Sequence, residues 1–132
     1  LHGYLMLLEK MLTAPSKFSE AFNFGPNDDD AISVEHIVKF VCQYWKENTN
    51  KNATYKIEKQ NTVKHEAKYL KLDCSKSKNL INWQPVWNIE KSLKKTVDWY
   101  IKFSKNEAML EVCRQDIQEF IDDYYNLKFK KI

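Results

Sequence analysis

Apolar residues recur at helical spacing in four stretches of the chain, and each stretch predicts an amphipathic helix. The first is expected to stop near Pro15, because proline disfavours helical backbone at the residue before it. The last is expected over about 114–126. The four stripes are Tyr4, Leu7, Leu8, Met11 and Leu12; Val34, Ile37, Val38, Val41 and Trp45; Ile89, Leu93, Val97, Tyr100 and Ile101; and Ile117, Phe120, Ile121 and Tyr124.

Residues with short polar side chains mark several helix ends. Ser33 and Asn88 precede two of the stripes, where a side-chain oxygen can accept from unpaired backbone N–H groups. Asp73 is predicted to be the N-cap of a further short helix that runs through Leu80. Asn82 suits the left-handed conformation that commonly terminates a helix.

Three short segments alternate or contain β-branched and aromatic residues and predict brief strands: 21–24, 54–57 and 69–72. Helices together with a few strands indicate the α+β class. The length of 132 residues fits one domain, which we place at 1–126, followed by a basic tail at 127–132 that is expected to fray.

Composition excludes several functional classes. Gly3 and Gly25 are the two glycines, too few and too far apart for a dinucleotide fingerprint or a phosphate loop. Arg114 is the only arginine, and the lysines are interspersed with acidic residues at a net charge of +3. This pattern argues against a nucleic-acid partner, since sequence-specific DNA reading relies on arginine.

The cysteines and the hydropathy pattern bear on location. Cys42, Cys74 and Cys113 are odd in number and fit neither a disulfide framework nor a zinc site, which indicates reduced thiols and a cytoplasmic protein. No apolar run is long enough to predict a membrane span. The chain begins with Leu1, which we expect of a fragment or a processed product.

A polar stretch at 60–69 carries the first candidate chemistry. His65 and Glu66 begin like the zinc motif H-E-x-x-H, but Tyr69 stands where the second histidine is required, so no metal site is predicted. His65 with Lys64 can donate to a diphosphate. A solvated or structural histidine is the competing interpretation.

Two further patterns have a functional and a structural interpretation. Tyr-x-x-x-Lys occurs at Tyr55 and at Tyr124, the spacing of a short-chain dehydrogenase base, but chance predicts about one such pair in this composition. An aromatic group of Trp83, Trp87, Trp99 and Tyr100 can stack a base or form a core, and a core is favoured.

Three segments resemble segments of a known family and follow one another in the same order. They begin at Leu1 (LHGYLMLLEK), at Phe22 (NFGP within it) and at His65 (HEAKYLKLDCSK), and are followed by W-x-P at Trp83 and T-V-x-W-Y at Thr96. Over about residues 1–126 the chain resembles the C-terminal part of the CDP-glucose 4,6-dehydratases, which are extended short-chain dehydrogenases.

This resemblance implies that two parts of the enzyme have different roles. In such enzymes an N-terminal Rossmann half holds NAD and the catalytic Tyr and Lys, while a smaller, helix-rich C-terminal half helps to hold the nucleotide sugar. The chain corresponds to the smaller half, with the Rossmann half absent. The implied parent is an NAD-dependent lyase, expected to be a homo-oligomer, that converts CDP-glucose to CDP-4-keto-6-deoxyglucose. The chain alone is expected to bind no NAD and to be inactive.

The resemblance also suggests substrate-binding residues and no catalytic ones. The loop around His65 is expected near the diphosphate, and Asn23 or Asn27 is expected near phosphate or base. Lys64 and Glu66 are added from their chemistry alone: the charge of Lys64 is expected near the phosphate, and Glu66 is expected to orient the loop. Two alternatives stay open: the corresponding domain of another nucleotide-sugar dehydratase or epimerase, and a non-catalytic helical binding module. Tyr4, Leu7 and Met11 are candidates for an apolar face toward the Rossmann half.

Overall fold

Helices make up the regular structure of residues 1–30, 32–57 and 72–129, the part of the chain that the computed structural model describes. The α-helices are α1 (His2–Thr13), α2 (Pro15–Phe18), α3 (Val34–Thr49), α4 (Ser75–Ile81), α5 (Ile89–Ser104) and α6 (Met109–Phe129), and a 3-10 turn covers Asp28–Asp30. These described residues contain no strand. The α+β prediction is therefore wrong for them, and the fold they form is helical.

The described residues divide into two compact units. Unit 1 consists of residues 1–30 and 72–85 and contains α1, α2 and α4. Unit 2 consists of residues 32–57 and 86–129 and contains α3, α5 and α6. Each unit has its own buried residues, and the residues of the candidate site described below belong to unit 1.

The core of unit 1 forms where α1 and α4 meet the segment between them. Its buried members are Phe18, Cys74, Ile81 and Trp83, of which Ile81 is 1% exposed. Phe24 packs edge to face against Tyr4 and against Trp83, with ring centroids 5.2 and 5.1 Å apart. Gly3 is buried in α1 beneath Phe24, and a Cβ there would overlap the ring.

Segment 21–24 is irregular rather than a strand, because side chains of α4 take the carbonyl groups that a neighbouring strand would bind. Lys76 Nζ donates to the Ala21 carbonyl at 3.0 Å, and Ser77 Oγ donates to the Asn23 carbonyl. The 54–57 segment is also irregular, and its residues are exposed. Of the third predicted strand, residues 69–71 lie outside the described residues and Leu72 is not in a strand.

Unit 2 is built on α5, which packs against both α3 and α6. Val97 and Ile101 of α5 and Val112 of α6 are buried. The predicted caps are confirmed: the His36 amide donates to Ser33 Oγ at 3.2 Å and the Lys91 amide to Asn88 Oδ1 at 2.8 Å.

The helix ends follow local chemistry closely, with two differences. Asn82 ends α4 at φ 54°, as predicted, but Asp73 is not the N-cap of this helix. The N-cap is Cys74, α4 begins at Ser75, and Asp73 Oδ1 accepts from the Ser75 amide at 2.9 Å. Helix α6 begins at Met109 rather than 114, since the Ala108 carbonyl already accepts from Glu111 and Val112. It continues through Phe129, three residues into the predicted tail.

Several residues of the predicted apolar stripes are exposed, among them Ile117 and Ile121, which were predicted to face inward. Leu7 and Met11, predicted to lie on an apolar face toward the Rossmann half, instead pack against the core of unit 1. Periodicity identifies an apolar sector of a helix but does not say which of two apolar sectors meets the core. The exposed positions are Tyr4, Leu8, Leu12, Val34, Tyr100, Ile117 and Ile121.

Candidate functional site

A cleft of about 340 Å³ in unit 1 brings together the segment after Phe24 and the start of α4. Its charged groups are two carboxylates, of Asp28 and Asp73, and one ammonium group, of Lys78. Such a mixture offers both acceptors and donors to a polar ligand. The complete lining is Pro26, Asp28, Leu72, Asp73, Cys74, Ser75 and Lys78.

Asp73 is held in its ionised form by the residues around it. Hydrogen bonds from the Ser75 side chain and backbone lower the pKa of its carboxyl group, and the charge of Lys78 lowers it further. The carboxylate is exposed, so it presents a fixed negative charge to the cleft.

Asn23, a predicted ligand-binding residue, connects two parts of unit 1. Its Nδ2 donates to the Asp73 carbonyl at 3.1 Å, while its own carbonyl accepts from Ser77 Oγ. Both contacts fix the segment before the cleft against α4. The amide side chain of Asn23 therefore orients the backbone of Asp73.

Asn27, the other predicted residue in this segment, positions a lysine that the sequence did not single out. Asn27 Oδ1 accepts from Lys78 Nζ at 3.1 Å. Lys78 is one of twenty lysines and lies in no motif, so nothing in the sequence distinguishes it. Its role becomes visible only in the folded structure, where it contacts Asn27, 51 positions away in the chain. Lys64, His65 and Glu66 lie outside the described residues, and their roles stay predictions.

Unit 2 contains a shallower groove of about 380 Å³ with aromatic walls. Of the predicted aromatic group, Trp87, Trp99 and Tyr100 line this groove, whereas Trp83 belongs to the core of unit 1. The other lining residues are Ser92, Lys95, Thr96 and Asp116.

The charges beside this groove are paired with one another. Lys95 Nζ lies 3.1 Å from Asp116 Oδ1 and also contacts Glu119. The hydrogen bond that Lys95 donates to Glu119 raises the pKa of Lys95. Because these groups satisfy each other across α5 and α6, their arrangement has a structural explanation.

A second ion-pair group continues along the same helices. Lys91 Nζ lies 2.9 Å from Glu119 Oε1 and 2.5 Å from Asp123 Oδ2, and Trp87 Nε1 donates to Asp123 at 2.7 Å. The hydrogen bond from Lys91 lowers the pKa of Asp123. These contacts join α6 to α5 and to the residues just before it.

The Tyr-x-x-x-Lys pair at Tyr124 is formed in space. Lys128 Nζ lies 3.1 Å from the Tyr124 hydroxyl oxygen, one helical turn away. The other pair, Tyr55 with Lys59, has its lysine outside the described residues. Any two residues four positions apart in a helix lie next to each other, so the spacing alone explains this contact. The contact therefore does not indicate a substrate site.

Three further observations concern cofactors and membranes. Neither glycine has a positive φ, and a Cβ at Gly25 would meet Cys74 Sγ at 3.4 Å, so the described residues do not fit a dinucleotide phosphate. No group of three or more metal-ligating side chains occurs among residues 1–30, 32–57 and 72–129. In the same part of the chain, every helix is too short or too polar to cross a bilayer.

Comparisons with known proteins agree with the resemblance seen in the sequence. No family model matches the chain. Over 121 residues the chain is 36% identical to a protein of Salmonella typhimurium (strain LT2) named CDP-glucose 4,6-dehydratase. The match covers 92% of the chain but 32% of that protein, so the chain is similar to a segment about one third as long as the relative.

Proposed function

We propose that this chain is the nucleotide-sugar-binding portion of a CDP-glucose 4,6-dehydratase, and that it acts together with a Rossmann portion that supplies NAD and the catalytic groups. The observation that carries the proposal is the 36% identity to the Salmonella dehydratase over 92% of the chain.

Within the proposal, the cleft of unit 1 receives the hydroxyl-rich part of the substrate. Two carboxylates beside one ammonium group repel a diphosphate, whereas sugar hydroxyls can donate to Asp28 and Asp73 and accept from Lys78. Asn27 holds Lys78 in place for this contact. The diphosphate is assigned to His65 and Lys64, with Glu66 orienting their loop.

A chimera tests the function directly. The matched segment of the Salmonella enzyme is replaced by the 121 matching residues of this chain, and turnover of CDP-glucose is measured. We expect the chimera to be active and the 132-residue chain alone to be inactive with or without NAD. Turnover by the chain alone, or a folded chimera that loads NAD but leaves CDP-glucose unchanged, contradicts the proposal.

Variants of the chimera test the cleft. Lys78→Met is expected to raise the KM for CDP-glucose several-fold, because it removes the ammonium donor. Lys105→Met is the matched control, since Lys105 follows α5 and does not line the cleft. An equal KM in both variants removes the cleft from the proposal. A lower KM for dTDP- or UDP-glucose than for CDP-glucose removes the cytidine assignment.

A further inference from the structure

The groove of unit 2 is built on one face of α5. Trp87, just before this helix, and Asp116 of α6 form its walls. The residues from α5 follow the spacing that places side chains on one side of a helix: Ser92, Lys95, Thr96, Trp99 and Tyr100. The volume of about 380 Å³ lies within the range of about 300–1,000 Å³ that is typical of small-molecule sites. We call it the aromatic groove.

The two indole side chains of the aromatic groove are held in place by hydrogen bonds to the protein. Trp99 Nε1 donates to Cys113 Sγ at 3.4 Å, and Trp87 Nε1 donates to Asp123 Oδ2 at 2.7 Å. Tyr100 meets Trp99 edge to face, with ring centroids 5.2 Å apart. Because both indole N–H groups already have acceptors, the rings offer a ligand their carbon surfaces rather than their donors.

The polar groups of the aromatic groove mainly accept hydrogen bonds. Ser92 and Thr96 each donate their hydroxyl proton to a carbonyl one turn earlier in the chain, at 2.9 and 2.8 Å, and keep oxygen lone pairs. Asp116 uses Oδ1 for Lys95, which leaves Oδ2 as an acceptor. Lys95 donates to Asp116 and to Glu119, so at most one of its three protons is available. A ligand must therefore bring several donors.

The charges beside the aromatic groove disfavour both anionic and cationic ligands. Two ammonium groups stand beside three carboxylates, which leaves one negative charge in excess: Lys91 and Lys95, with Asp116, Glu119 and Asp123. The excess repels a phosphate, and therefore a nucleotide. A cationic ligand meets the two ammonium groups, and Lys91 Nζ already lies 5.3 Å from the centre of the Trp87 ring.

We propose that the aromatic groove is a binding site for a neutral saccharide. A hexopyranose has C–H groups on its faces, which pack against the electron-rich faces of aromatic rings, and hydroxyl groups around its rim, which donate to acceptors. A nucleobase also stacks on aromatic rings, but its own acceptors would face the acceptors of the groove. The site goes beyond the proposed function, since the aromatic groove and the cleft of unit 1 have no lining residue in common.

The test follows the indole N–H signals of the ¹⁵N-labelled 132-residue chain during a titration with methyl β-D-glucopyranoside. We expect the signals of Trp87 and Trp99 to shift with a Kd of about 1 mM, a usual value for a ligand of this size. No shift of either signal at about ten times that concentration overturns the inference. Shifts confined to residues of unit 1 assign the glucoside to the cleft of the proposed function and also overturn it.

Two variants with matched controls test whether the glucoside uses the aromatic groove. Tyr100→Ala removes a ring that is 57% exposed, and its control, Tyr125→Ala, removes a ring that is 52% exposed on α6 outside the groove. Thr96→Val removes a hydroxyl that donates one turn back, and Thr49→Val does the same in α3. We expect binding about fivefold weaker in each groove variant, the usual value of one such contact, and unchanged in the controls.

Equal binding by the groove variants and their controls overturns the inference. Tighter binding of cytosine or of choline than of the glucoside also overturns it, since these probes carry a stacking base and a quaternary ammonium group. Thr96 is exposed and valine has nearly the same shape as threonine, so Thr96→Val decides the outcome if Tyr100→Ala disturbs α5.

Discussion

In unit 1 the polar contacts that join distant parts of the chain end mainly on backbone carbonyl groups, whereas in unit 2 they join charged side chains on neighbouring helices. Ser77, Lys76 and the Asn23 amide all donate to carbonyl oxygens, and Lys76 also forms an ion pair with Glu20 in this unit. In unit 2, Lys91 and Lys95 bind three carboxylates of α6. We therefore expect the stability of unit 1 to depend mainly on packing and on hydrogen bonds to the backbone, and that of unit 2 to depend more on ion pairs between side chains.

Ile81→Ala is expected to have the largest effect, and to confine it to unit 1. Ile81 is 1% exposed, so the substitution leaves a cavity that costs about 2–5 kcal/mol. Amide exchange should accelerate in α1 and α4 and stay slow in α5. Ile117→Ala is the control, because Ile117 is 59% exposed. Equal losses in both units would show that they unfold together.

Gly3→Ala should destabilise unit 1 by about 1–3 kcal/mol through overpacking, although alanine favours helices. The reason is the Phe24 ring, which the new Cβ would overlap. Denaturant unfolding measures the loss. Combining it with Phe24→Leu should cost less than the two changes separately, and strict additivity would disprove the contact.

Lys95→Met should lower the stability of unit 2 by about 1 kcal/mol, since it removes the partner shared by Asp116 and Glu119. The side chains of Lys95 and Asp116 are each 25% exposed, so solvent screens this pair only in part. Lys94→Met is the control, because Lys94 pairs with Glu90 at a more exposed site. Urea unfolding at two salt concentrations measures how much of each ion pair's contribution to the free energy of unfolding is screened by salt.

Acid should weaken unit 2 through the same network. Lys95 lowers the pKa of Glu119, and Lys91 lowers the pKa of Asp123. A lowered carboxyl pKa stabilises the fold above the unfolded value, about 4 for these groups, and the gain is lost as pH falls through the folded pKa. Unfolding followed from pH 6 to pH 2 should show a shallower loss in Lys95→Met. An unchanged slope would contradict the network.

Asn82→Gly should have the smallest effect, a gain of a few tenths of a kcal/mol in unit 1. Asn82 adopts φ 54°, where glycine has no Cβ strain. Asn79→Gly inside α4 should instead cost about 0.5 kcal/mol. Thermal melts of both variants give the comparison, and a loss at position 82 would contradict the expected effect.

Local chemistry was readable from the sequence, and long-range pairing was not. Ser33, Asn82 and Asn88 act on groups within a few positions, so their roles as helix ends were predicted correctly. Segment 21–24 has a strand-like pattern, but side chains some fifty positions away decide its conformation. Lys78 was not predicted as a site residue for the same reason: its partner Asn27, which was predicted, lies 51 positions away in the chain.

The placement of the indole side chains gives each unit its own optical signal. Trp83 is the tryptophan of unit 1 and is 8% exposed, whereas Trp45, Trp87 and Trp99 belong to unit 2. A protein in which the other three are replaced by phenylalanine would therefore emit from unit 1 alone, at the short wavelengths typical of a buried indole. Its red shift on denaturation would time the opening of that unit in a single fluorescence trace.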